Sequence, residues 1–351
     1  MLRPRERTRS CSPVIPSTSL ARYESHTPAT HPELAARVRK LGRILRPTPL
    51  VQIWTKPISL FVKLEYANPF GSLKDRTAYG ILLGAVERGD VGPSSTIVES
   101  SSGNFAIAMA SLCRLVGLRF VAVVDPTISP LYLAQLKLLC HDVQMVTERD
   151  PTGGFLKSRL SRVESLCASL PNVYWPNQYT NTDGADVHYR YTGAEICDAL
   201  ERLDYVFVPV SSSGTIVGIS RKVKERFPRA RIVAVDSHGS VIFGGEPKPR
   251  HIPGMGSSIS PSLLQHALID RVVHVEEADA AAACHHLLAE HGLFVGGSAG
   301  STFSAVQREA ERIVSESSDA VAVFICADRG APYLTTVYDR GWNAQVFGGS
   351  P

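Results

Sequence analysis

From Thr96 to Val124 the chain reads TIVESSSGNFAIAMASLCRLVGLRFVAVV. Thr96–Glu99 is a β-type run, followed by a loop of Ser, Gly and Asn. The apolar spacing of Phe105, Ala108, Leu112 and Leu115 then predicts a helix that stops before Gly117. Arg119–Val124 is a second β-type run. Strand, helix and strand in so short a space imply a right-handed crossover between parallel strands.

The same alternation extends in both directions. Before it come a strand at Leu60–Glu65 and a helix from about Ser72 to Arg88; after it come a helix at Leu131–Leu139, a strand at Val143–Val146 and a helix at Gly154–Leu170. The second half carries strands at Tyr205–Val210, Arg231–Val235, Arg271–Val275 and Ala320–Cys326. Its helices are at Thr215–Arg226, Ala278–His291 and Ser301–Ser315. This order predicts an α/β protein with parallel sheets covered by helices on both faces. Ligands of such sheets bind at the carboxyl ends of strands, where loops lead into helices. Four loops rich in Gly, Ser and Asn are read as occupying such positions: Asn68–Asp75, Ser100–Asn104, Ser211–Thr215 and Gly296–Ser301. Any one of them is an ordinary turn; four at equivalent places mark a site.

The bulk composition narrows the class. The 351 residues are 44% hydrophobic and 20% charged, with no internal repeat and no apolar run of the roughly 20 residues a membrane span needs. A net charge of +4, part of it from Arg3, Arg5, Arg7 and Arg9, offers no basic face for nucleic acid. The Arg/Ser-rich first 25 residues have no secretory apolar core and read as a disordered tail or a transit segment. Seven scattered cysteines without a CxxC fit a reducing cytosol and no metal site.

Within Asn68-Pro69-Phe70-Gly71-Ser72-Leu73-Lys74-Asp75-Arg76, Lys74 sits in the first turn of its helix, where the macrodipole disfavours a cation. A lysine so placed in a cleft has reason to lose its proton, and a neutral amine can form a Schiff base. Asp75 and Arg76 read as structural partners of the loop.

These four segments, in this order, resemble the signatures of the cysteine synthase family of fold type II pyridoxal-phosphate (PLP) enzymes; the resemblance runs from about Thr48 to Leu334. It implies PLP as cofactor, with Lys74 as its Schiff-base lysine and the base for the α-proton. Ser101, Ser102 and Gly103 would bind the substrate carboxylate and Asn104 would face the phenolic oxygen of PLP. Ser212, Ser213, Gly214 and Thr215 would bind the phosphate, and Ser298 would meet the pyridine nitrogen. Ser212 and Ser213 stand where the family usually has Thr and Gly, which puts the shape of that loop in question. The implied fold is two three-layer α/β/α lobes, the small one inserted in the large one. Residues 1–40 would be an extension, 41–79 and 186–340 the large domain, 80–185 a small mobile domain, and 341–351 a tail.

Val124-Asp125-Pro126-x-Ile128-Ser129-Pro130, Gly239-Ser240-Val241-Ile242-Phe243-Gly244 and Ala327-Asp328-Arg329-Gly330 resemble the diaminopropionate branch of that family. The branch makes N-(1-amino-1-carboxy-2-ethyl)-glutamate for staphyloferrin B-type siderophores. It implies β-replacement of O-phosphoserine by the amine of glutamate through an aminoacrylate, in a cytoplasmic homodimer. An NAD-dependent dehydrogenase would then release 2,3-diaminopropionate. Gln178 would contact the substrate carboxylate, with Arg159 and Tyr179 as contacts for the second acidic substrate; Arg159 also reads as a solvated helix residue. The alternatives are a cysteine synthase using O-acetylserine or O-phosphoserine with sulfide, a deaminase-type lyase, and a non-catalytic PLP-fold scaffold.

Overall fold

The computed structural model describes residues 30–150 and 154–348. The chain runs through α1 (Pro32–Leu41), β1 (Leu50–Trp54), β2 (Ser59–Leu64), α2 (Lys74–Arg88), β3 (Thr96–Ser100), α3 (Asn104–Val116), β4 (Arg119–Val124), α4 (Pro130–Leu139) and β5 (Asp142–Met145). It continues through α5 (Leu156–Ser169), β6 (Val173–Tyr174), α6 (Asp183–His188), a π-helical turn (Tyr189–Gly193), α7 (Ala194–Ala199), β7 (Tyr205–Pro209), α8 (Gly214–Arg226) and β8 (Arg231–Ser237). The last elements are β9 (Arg271–Val275), α9 (Glu277–His291), α10 (Gly297–Glu316), β10 (Val321–Cys326) and α11 (Arg340–Phe347).

Two sheets result, in the orders β1-β2-β10-β7-β8-β9 and β5-β4-β3-β6. All pairings are parallel except β1 with β2. The chain starts in the six-stranded sheet, leaves after β2 to build the four-stranded one, and returns with β7, so one lobe is inserted in the other. Alternation along the strands assigns the faces. In the large sheet Tyr205, Phe207, Val233 and Val235 pack under α9 and α10, while Val206, Val208, Ile232 and Ala234 pack under α7 and α8. In the small sheet Phe120, Ala122 and Val124 face α2 and α3, whereas Val98, Val121 and Val123 face α5. With both faces covered, these strands need continuous apolar runs, which is why they stand out in the sequence.

Several expectations shift. Residues 1–29 of the expected extension lie outside the described residues. Its last part is α1, whose Leu34, Ala35 and Val38 are buried in the small-lobe core beside α2 and α3. The expected tail contains α11, capped by Asp339, whose side chain accepts from Trp342 N. The fourth loop, Gly296–Ser301, is neither a loop nor preceded by a strand. It is the first turn of α10, entered from α9 through Val295, which forms one isolated bridge to Arg329. Helix begins there despite two glycines because packing requires them. A Cβ on Gly297 would lie 2.2 Å from Ile252 Cγ2, and one on Gly300 2.1 Å from Ala280 O. Close approach to α9 overrides weak helix propensity.

Candidate active site

Lys74 opens α2 at the seam between the lobes. The end of its loop is tied to the large lobe, Leu73 N donating to Ala327 O at 2.8 Å, while Ala78–Val86 of the same helix pack in the small-lobe core. Asp75 shapes the loop by accepting from Phe70 N at 2.6 Å and from Ser72 Oγ at 3.3 Å. Arg76 anchors it. The buried guanidinium meets Glu65 Oε2 at 2.8 Å and forks onto Glu195 at 2.6 and 2.8 Å, and Lys63 adds a 2.6 Å contact to Glu195. Two cations and two carboxylates balance there, so the cluster fixes the loop without a net buried charge. The Lys74 amine itself touches Ser212 Oγ only at 3.5 Å. Burial pulls its pKa down to about 8, with Asp328 opposing the fall. Part of the amine is therefore neutral near neutral pH, and burial is what lowers its proton affinity.

The second loop ends at α3. Ser101 Oγ accepts from Ala106 N at 3.3 Å, and Gly103 is the N-cap residue, with nothing within 4 Å of where a Cβ would stand. Ser101–Phe105 line the cavity at that helix start, where first-turn amides lack intrahelical acceptors and suit a carboxylate. Ser102 connects to Arg159, whose Nη1 donates to Ser102 Oγ at 2.8 Å while its Nε lies 3.2 Å from Asp125 Oδ2. Arg159 is therefore not a solvated helix residue; its side chain turns inward and is held by Asp125.

At the third loop, Ser213 takes φ +68°, the left-handed conformation that usually calls for glycine. The loop thus keeps its turn without the glycine, at a cost of order 1 kcal/mol. Ser213 Oγ is buried without a partner among the described residues, at the start of the 13-residue helix α8. An orphaned hydroxyl beside free helix amides fits a phosphate. Thr215 and Ser298 are buried and face the same space.

One cavity of about 390 Å³ is lined by Lys74, Ser101–Asn104, Arg159, Gln178, Tyr179, Ser212, Ser213, Thr215 and Ser298, so the geometry brings together every candidate residue except Gly214, which is buried between its lining neighbours Ser213 and Thr215. Tyr179 lies near Arg159, and burial raises its phenol. The donor set fits PLP: an amine of lowered basicity, a helix start with an unsatisfied hydroxyl, and neutral Asn104 and Ser298.

Three acidic residues escaped the sequence reading as site components. Asp125 pairs with Arg159, and Asp328 reaches Asn104. Glu99, fully buried behind the second loop, accepts from Ser100 N at 2.8 Å and from Trp175 Nε1 at 3.1 Å. Its place as the last residue of a predicted strand was the only available signal. Burial pushes the Glu99 carboxyl from 4.5 up to about 7. Between those pH values the unfolded chain releases a proton that the folded chain keeps, so the folded state loses stability as pH rises. The Glu99→Gln variant is expected to lack this loss. Chemical denaturation at pH 5 and pH 7 should show wild type falling relative to the variant by up to about 3 kcal/mol; parallel pH dependence would contradict the burial argument.

Comparison with known proteins agrees with this donor set. A family model described as pyridoxal-phosphate dependent enzyme matches residues 42–327. The chain is 43% identical over 305 residues to the N-(2-amino-2-carboxyethyl)-L-glutamate synthase of Ralstonia nicotianae, covering 85% of this chain and 89% of that one. An O-acetylserine dependent cystathionine beta-synthase from Helicobacter pylori superposes with TM-score 0.78 at 27% identity, over 84% of this chain and 96% of its own. An O-ureido-L-serine synthase variant bound to O-ureido-L-serine gives 0.78 at 28% identity, over 88% and 98%. Family match, fold and cavity chemistry agree, and the chain belongs to the pyridoxal-phosphate dependent enzymes of fold type II, in the cysteine synthase-like group that carries out β-replacement.

Proposed function

We propose that the enzyme converts O-phospho-L-serine and L-glutamate into N-(1-amino-1-carboxy-2-ethyl)-L-glutamate and phosphate. The observation that carries this reading is the 43% identity, over most of both chains, to the N-(2-amino-2-carboxyethyl)-L-glutamate synthase. The Cβ–O bond of phosphoserine breaks, phosphate leaves, and the glutamate nitrogen bonds to Cβ after losing a proton. Bound PLP supplies the electron sink for charge developing at the α-carbon. Lys74 would hold the cofactor, and its amine would take the α-proton of the substrate. The α3 amides with Ser101–Gly103 and Gln178 hold the substrate carboxylate, and the start of α8 with Ser212–Thr215 holds the cofactor phosphate. Ser298 gives the ring nitrogen a neutral partner, which favours prompt loss of the β-substituent. Arg159 and Tyr179 face the acidic groups of the donor or acceptor. Closure of the 80–185 lobe would exclude water.

The finer setting belongs to the same proposal: a cytoplasmic homodimer, acting in siderophore or natural-product synthesis with an NAD-dependent dehydrogenase that releases 2,3-diaminopropionate. Among the described residues no helix is long and apolar enough to cross a membrane. The likeness to an O-acetylserine dependent enzyme keeps a sulfur acceptor as the second reading. Phosphate release from O-phosphoserine, with glutamate or sulfide at equal concentration, separates the two. Glutamate is expected to drive the faster release and to give the amine adduct by mass; faster consumption of sulfide would make the enzyme a cysteine synthase.

A further inference from the structure

Asp328 follows β10 and is buried, with 2% of its surface exposed, in the wall of the cavity. Its Oδ2 accepts two hydrogen bonds, from Asn104 Nδ2 at 2.7 Å and from Tyr333 Oη at 2.6 Å. The other end of the Asn104 amide, Oδ1, accepts from the Tyr132 hydroxyl. Asp328 Oδ1 has no partner among the described residues. Space for this carboxylate is made by a missing side chain, since a Cβ on Gly296 would stand 2.0 Å from Asp328 Oδ1. Gly296 lies two residues before Ser298, so Asp328 bonds Asn104 and packs against the backbone that leads into the helix carrying Ser298.

The chemistry of these groups orders the amide. An amide can be turned end for end at little cost unless its neighbours distinguish oxygen from nitrogen. A tyrosine hydroxyl does not, because it both donates and accepts; an ionised carboxylate does, because it only accepts. Although burial raises the Asp328 carboxyl, the bonds from Tyr333 and Asn104 and the nearby Lys74 favour its ionised form. Turning Asn104 over would set its carbonyl oxygen against Asp328 and leave two acceptors facing each other in a buried place, a loss of a few hydrogen-bond equivalents. With Oδ1 engaged by Tyr132 and one N–H given to Asp328, the amide has one N–H left to offer the cavity. Asp328 also lies close enough to Lys74 to oppose the fall in its proton affinity.

We propose that Asp328 is a positioning residue that locks the Asn104 amide with its N–H toward the cofactor, so that the site presents a donor to the ring's phenolic oxygen. This rests on the reading of Asn104 as a cofactor contact. A merely structural Asp328, bracing the Tyr333 segment, would alter folding stability but not the electronic environment of the ring.

The test uses apoenzyme titrated with PLP, followed by the visible absorption band of the bound cofactor and by the thermal melt of each apoprotein. Asp328→Ala is expected to weaken PLP binding about tenfold and to move the band in the same direction as Asn104→Ala. The double variant should show no more than the Asn104→Ala shift, because one change acts through the other. A wild-type band and affinity in Asp328→Ala, or shifts that add in the double variant, would overturn the proposal. If the alanine variant melts before it can be loaded, the near-isosteric Asp328→Asn carries the test. It allows the amide to turn, and should still move the band; an unmoved band overturns the proposal. A wild-type band and affinity in Asn104→Ala would instead show that Asn104 is no cofactor contact, and both readings would fall together.

Discussion

Lys74→Ala should abolish turnover, lowering kcat by at least roughly 10⁴-fold, and should remove the visible absorbance of the bound cofactor. The expected loss is large because in the proposed reaction one amine would serve twice, as the attachment point of PLP and as the acceptor of the α-proton. The geometry supports both uses. Lys74 is half-buried in the cavity wall, burial of its amine lowers the pKa to about 8, and its loop is held from behind by the balanced Lys63–Glu65–Arg76–Glu195 cluster. The variant should fold normally, since among the described residues the Lys74 amine makes no ion pair and its one hydrogen-bond contact is the 3.5 Å approach to Ser212. Borohydride reduction of the wild-type holoenzyme followed by peptide mass mapping checks the assignment directly. The label should sit on Lys74, and a label on another lysine would sink it.

Arg159→Ala is expected to reduce use of O-phosphoserine or glutamate by roughly ten- to a thousandfold, while use of sulfide changes far less. Two carboxylates and a phosphate enter one cavity in the proposed reaction, and an unpaired anion in a closed site is costly. Arg159 supplies a forked guanidinium suited to oxygen anions. In this structure that fork is engaged by Asp125 and Ser102. A substrate anion must therefore share or displace Asp125, which tempers affinity and holds the side chain ready in place. The loss should appear mainly in KM for the acidic substrate that the guanidinium meets. Steady-state kinetics with glutamate and sulfide as acceptors would read it, and an equal loss with both would remove Arg159 from acceptor recognition.

Strands and helices of both lobes were legible from local pattern. Strands such as Tyr205–Pro209 and Arg119–Val124 are buried on both faces and must be continuous apolar runs. Helices α3 and α8 announce themselves through spacing and, for α3, through Gly117 at its end, which takes φ +72°. The four small-residue segments that lead into helices also follow from sequence, because a helix start needs no distant partner to present its amides. That much gave the fold class and singled out Lys74 as a candidate; the cofactor followed from the resemblance of the four segments to the family's signatures.

Other features were decided only by tertiary structure. Helix α1 was hidden because its apolar stripe is short, and what makes it part of the core is contact with α2 and α3. The start of α10 at Gly297 was missed because glycine is a poor helix former, and only close packing on α9 and Ile252 makes it the right residue. Glu99 reads locally as an acidic residue at a strand end, and Asp125 and Asp328, though they stand in segments that resemble the diaminopropionate branch, carry no local sign of a site role. Each becomes part of the site through a partner far along the chain, 76 residues away for Glu99 with Trp175 and 224 for Asn104 with Asp328. Periodicity reports burial and local conformation, both set within a few residues. Charge compensation and amide orientation depend on which chain segments the fold brings within about 3 Å, and no local pattern encodes that distance.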